Sequence, residues 1–427
     1  MISLEHKLSE LIRCRTVSCE NGRPFPENEF IKIRESIDAL FPLVHEKLER
    51  ELMDGFTLLY RWKGGGEGEP ALLMAHQDVV PALEDGWTHP PFSGDIADGY
   101  VWGRGAFDMK CQLAAILQAA EELLSEGFVP RRDVYFCFTH NEESSDETGA
   151  KAAAGLIAGR GIRFSVAVDE GGYAFNGEGF GMKKDGIFVS LCEKGYADIE
   201  IKAEAPEGSA LCPPGESALT GVCRAIAAIE ANPPAAHKNP ATKALIKALS
   251  SEMPVVKRAG LRKRMQTLPS ANALIRSTIA PTMIKAEDRT DVFPREAKAI
   301  LNARLLPGQL PEEILEHCRK AAKGVGVTFR LIKANPATAV SPPEGEEYGR
   351  IVRALRFSLP ELAPVPGIMT AATDSRFFSA ICKTIYRVSP FSCAREVLST
   401  MHAVNERVSV KSLYEGKAFF KTLITTF

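Results

Sequence analysis

The chain has 427 residues, of which 45% are hydrophobic and 25% are charged, with 52 basic against 54 acidic side chains. This composition is typical of a globular protein, and the length predicts two or three domains. A formal net charge of −2 provides no basic field, which argues against nucleic acid as the main partner. No apolar run reaches the 18 residues or so that a membrane span needs.

Targeting and redox signals favour the cytoplasm. The amino terminus, Met1-Ile2-Ser3-Leu4, lacks the basic start and apolar core of a signal peptide. Ten cysteines occur without any Cys-x-x-Cys spacing, which is typical of reduced thiols. We therefore expect a cytoplasmic protein with neither a membrane nor a nucleic acid as its partner.

The first half of the chain alternates apolar runs with helical patterns. Buried strands are predicted at 72–75, 134–138 and 166–168, with a helix at 113–124 between the first two and another at 150–157. This alternation indicates an α/β fold with a largely parallel sheet. In such sheets the ligand site lies beyond the carboxyl ends of the strands.

The second half has a different pattern. Polar and apolar residues alternate at 197–201 and 299–304, as in half-exposed antiparallel strands. A helix is predicted at 218–229, and a Pro-rich linker lies at 341–345. These segments predict a smaller α+β unit followed by a return to the first one.

Two domains are therefore predicted. Residues 1–194 and 339–427 form the catalytic α/β domain, and residues 195–338 form an inserted lid or dimerisation domain. The stretch 232–264 is basic and helical and has no apolar face broad enough for a core of its own. Its residues 238–264 are either part of an interface or, as we favour, a solvated charged face.

Polar residues follow the first predicted strand. His76 and Asp78 come directly after it, and a neutral imidazole whose other ring nitrogen is fixed by a carboxylate suits zinc. A surface histidine beside a turn is the alternative. Asp108 follows a glycine-bearing loop at a helix start, where an N-cap is the alternative.

Acidic pairs follow the other two strands. Glu142 and Glu143 come after the second strand, and Asp169 and Glu170 end the third. Neighbouring carboxylates repel each other unless a cation or proton intervenes. One carboxylate on a metal with its neighbour as general base is one natural arrangement. A solvated acidic turn is the alternative at the first pair, because two more acids follow at 146–147.

Among the eight histidines, His76 and His402 have the surroundings of metal ligands. Two imidazoles and three carboxylates suit a pair of divalent ions about 3.5–4 Å apart with one bridging carboxylate. A ligand set without thiolate favours Zn, with Co or Mn as alternatives.

Several motifs occur in a fixed order along the chain. They are 76–81, 87–92, 103–108, 142–143, 169–172, 302–308, 373–376 and His402. This series resembles the di-zinc aminoacylase and carboxypeptidase superfamily, most closely its carboxypeptidase-S-like members. The resemblance runs from about Leu72 to Asn405 and implies a parallel-sheet catalytic domain interrupted by a lid.

The resemblance also implies a set of metal ligands. His76 and Asp169 would hold one ion, and Glu143 and His402 would hold the other. Asp108 would bridge the two ions.

Roles in catalysis are implied in the same way. Glu142 would be the general base, and Asp78 would orient His76. Arg304 would bind the carboxylate of the substrate from the lid, and Thr373 would lie beside the substrate backbone. A homodimer formed through the lid is a further expectation.

One departure from the family pattern leaves two hypotheses. Ser209 stands where carboxypeptidase-S-like proteins carry a lid histidine that reaches the oxyanion, and losing one such donor costs about 10²–10³ in turnover. We favour a di-zinc hydrolase that cleaves a small peptide or N-acyl amino acid with a free carboxylate. The alternative is a metal-binding homologue with weakened catalysis and a binding or regulatory role.

Overall fold

The computed structural model describes residues 2–18, 24–144, 148–287 and 290–427. The acids at 146–147 lie outside these ranges. The elements up to residue 194 are α1 (Leu4–Ile12), α2 (Glu27–Leu40), α3 (Pro42–Lys47), β1 (Glu49–Met53), β2 (Thr57–Trp62), β3 (Ala71–His76), β4 (Ile96–Ala97), β5 (Tyr100–Trp102), α4 (Lys110–Ser125), β6 (Val134–Thr139), α5 (Ala150–Gly159), β7 (Phe164–Asp169), β8 (Ala174–Phe175) and β9 (Gly186–Glu193).

The inserted region and the final segment follow. The inserted region contains β10 (Gly195–Glu204), β11 (Gly208–Ser209), α6 (Ala218–Ala231), α7 (Pro240–Ser251), α8 (Val255–Arg258), α9 (Leu261–Thr267), α10 (Pro269–Ala273), β12 (Thr278–Lys285), β13 (Val292–Phe293), β14 (Glu296–Leu305), α11 (Pro311–Ala321) and β15 (Val327–Asn335). The final segment contains α12 (Glu346–Ser358), β16 (Ala363–Met369), β17 (Cys382–Arg387), α13 (Arg395–Leu398), β18 (Arg407–Ser409) and α14 (Val410–Thr425).

A nine-stranded sheet forms the larger unit, in the order β1-β2-β6-β3-β7-β17-β9-β16 with β8 beside β9. Strands β6, β3, β7 and β17 run parallel to one another. The outer neighbours of this group are antiparallel to it, because β2 pairs antiparallel with β6 and β9 pairs antiparallel with β17. Strands β3 and β6 are buried along their whole length, as expected for strands covered on both faces. The predicted α/β fold is confirmed, with a sheet that is mixed rather than wholly parallel.

The inserted region contains a second, antiparallel sheet in the order β12-β14-β10-β15. Burial alternates residue by residue along β10 and β14, because one face of this sheet is covered and the other is open. Helices α6 and α11 contribute side chains such as Val222 and Ile314 to the separate core on the covered face.

Helices α7 to α10 pack elsewhere. Their buried side chains, including Leu245, Leu249, Leu261 and Met265, belong to the hydrophobic cluster of the larger unit. The boundaries drawn at 195 and 338 stay a prediction, and within them the chain contributes to both cores.

Every helix in the described parts of the chain is too short or too polar to traverse a bilayer. Nine cysteines fall within the described residues, and all nine are free thiols.

Candidate metal centre

His76 is the last residue of β3 and is buried at the carboxyl edge of the sheet. Its Nδ1 lies 2.9 Å from the backbone carbonyl oxygen of Asp78, so the ring donates there and turns Nε2 toward the acidic cluster. The Asp78 carboxylate is 3.5 Å from Nδ1 and accepts backbone N–H bonds from Glu142 and Glu143 at 3.1 and 3.0 Å. Asp78 therefore ties the end of β3 to the turn that carries the glutamate pair.

Asp108 lies between the two predicted histidine ligands. Its Oδ1 is 3.2 Å from His76 Nε2, and its Oδ2 is 2.9 Å from His402 Nε2. Glu143 Oε2 is 3.2 Å from the same nitrogen of His402. Asp108, Glu143 and His402 form one group whose ligand atoms all lie within 4.8 Å of one another.

A second group consists of His76, Asp108 and Glu170. Glu170 Oε1 is 3.6 Å from His76 Nε2. The family resemblance predicts Asp169 at this position, but the structure does not bring Asp169 into the group. Its carboxylate accepts the backbone N–H of Ser375 at 2.9 Å instead. Successive side chains at a strand end point to opposite faces, so only one of the two acids can face His76.

Electrostatics differ between the histidines and the carboxylates of the cluster. Burial opposes protonation of His76, but Glu170 and Asp108 outweigh it and hold the pKa of His76 well above its ordinary value. Hydrogen bonds to Asp108 and Glu143 raise the pKa of His402 to about 10.

The carboxylates of the cluster are buried and lie close to one another. Burial raises the pKa of Glu170, and the charge of Asp108 raises it further. Burial likewise raises the pKa of Glu142, with the charges of Asp374 and Glu143 adding to the shift. The pKa of Asp108 stays below its usual range because the two histidines outweigh its burial.

The donor set fits divalent cations. Oε1 of Glu143 is buried and has no hydrogen-bond partner among the described residues, which leaves an acceptor directed at the cluster. Imidazole nitrogens and carboxylate oxygens that converge without thiolates suit Zn, Co or Mn. Two groups that share Asp108 could hold two such ions.

The residues predicted to contact substrate lie apart from these two groups. Thr373 is 2% exposed, and its hydroxyl donates to Glu193 Oε1 at 2.7 Å. Arg304 is half-buried on β14, where its Nε donates to Asn302 and its guanidinium lies 5.8 Å from the ring centre of Tyr196.

Comparison with known sequences identifies the family. Residues 72–426 match the sequence profile of Peptidase family M20/M25/M40. The chain belongs to this family. As an M20 protein with carboxypeptidase relatives, it is a hydrolase acting on amide bonds. The predicted resemblance to carboxypeptidase-S-like proteins is confirmed.

Relatives of this M20 chain cover nearly all of it. It is 32% identical to the probable carboxypeptidase S-like 2 of Dictyostelium discoideum, over 99% of this chain and 85% of that protein. It is also 32% identical to the N-fatty-acyl-amino acid synthase/hydrolase PM20D1 of Mus musculus, over 98% and 86%. Carboxypeptidase S of Saccharomyces cerevisiae is 27% identical, over 97% and 82%.

Solved structures share the M20 fold. The M20 family metallo-carboxypeptidase Sso-CP2 from Sulfolobus solfataricus superposes with a TM-score of 0.74 at 15% identity, over 100% of this chain and 99% of that one. Bacillus subtilis YXEP, described as a dinuclear metal binding peptidase from the M20 family, gives 0.59 at 14% identity, over 99% and 98%.

Beside the metal groups, the M20 chain has a buried ion pair that the sequence analysis did not single out. Glu406 Oε1 accepts the backbone N–H groups of Phe107 and Asp108 at 2.9 and 3.0 Å, and Oε2 accepts Arg104 Nη1 at 2.5 Å. These two hydrogen bonds hold the backbone at Asp108, the shared ligand, and at the residue before it. Only the place of Glu406, four residues after His402, could have drawn attention to it.

A second buried pair lies behind Thr373. Glu193 Oε1 accepts Arg387 Nε at 2.7 Å as well as the threonine hydroxyl. The next residue, Lys194, donates its ammonium to the backbone carbonyls of Ala273 and Arg276. This pair stands where the chain leaves the central sheet for the inserted region.

Proposed function

We propose that the chain is a two-metal hydrolase that cleaves the amide bond of a small peptide or N-acyl amino acid bearing a free carboxylate. The observation that carries this proposal is the sharing of Asp108 between two ligand groups. A carboxylate shared in this way supports two ions about 3.5–4 Å apart. The proposed ligands are His76, Asp108 and Glu170 on one side and Asp108, Glu143 and His402 on the other.

Bound divalent ions supply a polarised carbonyl and an attacking water of lowered pKa. In the proposed mechanism, Glu142 accepts the proton of that water and returns it to the leaving amine. Burial raises the pKa of Glu142, which is the direction that favours a general base. The Asp78 carboxylate accepts the backbone N–H of Glu142 and so positions the proposed base relative to the metal ligands.

We assign the recognition of a substrate carboxylate to Arg304. A guanidinium can bind a carboxylate through two parallel hydrogen bonds. The relatives are named carboxypeptidase and N-fatty-acyl-amino acid synthase/hydrolase, and both names describe a reaction at an amide bond to an amino acid. This common feature supports a substrate of the same class. Thr373 beside the substrate backbone stays a prediction, and so does a dimer formed through the inserted region.

The first test replaces the base. Glu142→Gln in the Zn-loaded protein should lower kcat by about 10²–10⁴, the usual contribution of a general base. Metal content should not change, because Glu142 belongs to neither ligand group. The assay is hydrolysis of a panel of dipeptides and N-acyl amino acids, with metal content measured on the same preparation.

The second test concerns the substrate carboxylate. Arg304→Ala should raise KM for an N-acyl amino acid and leave KM for its carboxamide unchanged. Arg330→Ala is the matched control, since Arg330 lies on β15 of the same sheet and pairs with Glu200. Equal changes for acid and carboxamide would remove Arg304 from this role.

The alternative, a metal-binding homologue with weakened catalysis, rests on Ser209. This residue is exposed on β11 and pairs with Val292 of β13. Metal-loaded protein that is inactive on the whole panel would support this alternative and reject the proposed hydrolase.

A further inference from the structure

The segment 231–286 is strongly basic. It contains ten Lys or Arg residues and one acid, Glu252, which gives a formal charge of +9. The whole chain has a formal charge of −2, so all other residues together carry −11. Seven of its exposed cations, all between 238 and 263, form what we call the basic face: Lys238, Lys243, Lys247, Lys257, Arg258, Arg262 and Lys263.

The part of the basic face formed by α8 and α9 is firmly anchored. Met253, Leu261 and Met265 are at most 2% exposed and belong to the core of the larger unit. Arg264 Nη2 donates to the backbone carbonyl of Lys257 at 2.6 Å and so joins α9 to α8. The outward side chains of these helices are therefore held on a fixed support.

Two adjacent valines project from this support into solvent. Val255 is 73% exposed and Val256 is 89% exposed, although both precede a run of cations directly. Leaving two large aliphatic side chains in water forgoes the free energy of their burial. An apolar pair beside several cations is the pattern of a surface that meets an anionic lipid interface.

A cavity of about 80 Å³ opens within the basic face. It is lined by the cations Lys238, Lys243 and Arg262, with His237 and the aliphatic residues Ile246 and Ile275. These cations come from two stretches of chain, 238–243 and Arg262. The accessible surface of this space is mostly apolar, so cations and aliphatic groups meet here as they do beside Val255 and Val256.

We propose that the basic face docks on an anionic phospholipid surface. Val255 and Val256 enter the interfacial layer, and the cations of the basic face contact the headgroup phosphates. This inference is independent of the proposed hydrolysis, because none of these residues belongs to the metal centre.

Charge and apolar exposure together distinguish this partner from two others. A second copy of the chain in a two-fold interface would place the basic face against itself, and like charges would repel. A nucleic acid would satisfy the cations but leave Val255 and Val256 in water. A lipid surface satisfies both features.

The test is co-sedimentation of the full chain with vesicles at low salt. We expect binding to vesicles of phosphatidylcholine that contain about 30% phosphatidylserine as a mimic of an acidic leaflet. Binding to vesicles of pure phosphatidylcholine should be much weaker. Lys257→Glu with Arg258→Glu should lower partitioning by at least about 25-fold, since each cation near an anionic leaflet contributes about five-fold. Val255→Ser with Val256→Ser should lower it by roughly ten-fold.

Lys47→Glu with Lys63→Glu is the matched control. It makes the same charge change at exposed positions beside β1 and β2, at the opposite end of the sheet from the strand on which α7 packs, and it should retain binding to within about two-fold. Circular dichroism establishes that each variant is folded.

Three outcomes would overturn the proposal. The first is absence of binding to acidic vesicles, or equal binding to neutral ones. The second is tight binding of a DNA duplex or heparin with vesicle binding that is insensitive to the valine change, which would indicate a general polyanion site. The third is a dimer in light scattering that Lys257→Glu with Arg258→Glu dissociates.

Discussion

Replacing Glu406 by glutamine tests how the shared ligand Asp108 is held in place. Glu406 is fully buried, and the side chain of its partner Arg104 is 4% exposed. In the variant, the amide oxygen can still accept the N–H groups of Phe107 and Asp108. The amide nitrogen, however, cannot accept from Arg104, whose charge is left buried without a partner.

The magnitude follows from that unpaired charge. Removing one member of a buried ion pair costs about 3–5 kcal/mol of folding free energy. The variant Arg104→Met should cost less, because burial already raises the pKa of Glu406 and its carboxyl can take up a proton when unpaired. The loss of folding free energy in the double variant, Arg104→Met with Glu406→Gln, should be smaller than the sum of the two single losses by at least about 1.5 kcal/mol. The reason is that both single changes remove the same interaction.

Urea unfolding and Zn titration together provide the assay. Glu406→Gln should also weaken Zn binding by about 10–100-fold, as expected when a group that orients a ligand is changed. Glu347→Gln is the control, because its pair with Arg132 is also largely buried but contacts neither ligand group. Additive single effects, or unchanged Zn affinity in Glu406→Gln, would refute the positioning role.

The remaining predictions concern the ligands and the pH response. Glu170→Gln should lower the affinity for Zn more than about 100-fold. Asp169→Asn should lower it less, because the amide oxygen can still accept the backbone N–H of Ser375. Equal losses of affinity in calorimetric titration would contradict our ligand assignment. Metal binding at pH 7 should release protons, because the raised pKa values of His76 and Glu170 leave protons on the metal-free cluster. The affinity for metal should therefore rise from pH 6 to pH 8. A binding enthalpy that does not depend on the ionisation enthalpy of the buffer would contradict this prediction. Burial and Arg304 lower the pKa of Lys194 to about 7, against about 10.4 in an unfolded chain, so the unfolded state binds more protons between these values. The unfolding free energy of the wild type should consequently rise relative to Lys194→Met from pH 7 to pH 9, and a constant difference in urea midpoints would contradict the shift.

Hydrophobic pattern predicted the strands that build the metal centre. The predicted strand at 72–75 is β3, and the runs at 134–138 and 166–168 lie within β6 and β7. Once these strands are parallel neighbours, their polar ends must meet at one edge of the sheet, which is why His76 could be placed near the acidic pairs.

Side-chain direction at a strand end was harder to predict. Motif position assigned Asp169 as a ligand, but the structure turns Glu170 toward His76. Strand periodicity limits the choice to one of the two acids without identifying which. The direction depends on pairing with β17 and on the backbone of Ser375, both of which are more than 200 residues away along the chain.

The buried ion pair could not be predicted, because its two members are far apart along the chain. Arg104 and Glu406 are 302 residues apart, and although Arg104 lies within the motif at 103–108, nothing in the sequence identifies Glu406 as its partner. The sequence of the basic stretch 232–264 predicts helix without a core of its own, yet nothing in it identifies the larger unit as the surface that these helices cover.

The packing of α7 to α10 bears on how this fold could be recombined. Exchanging the whole of 195–338 with that of a relative would strip Leu245, Leu249 and Met265 from the core of the larger unit. A chimaera that keeps 240–275 with its own larger unit, and exchanges only the antiparallel sheet with α6 and α11, respects both cores. The inserted region is thus one stretch of sequence but two pieces of architecture, and only one of them is interchangeable.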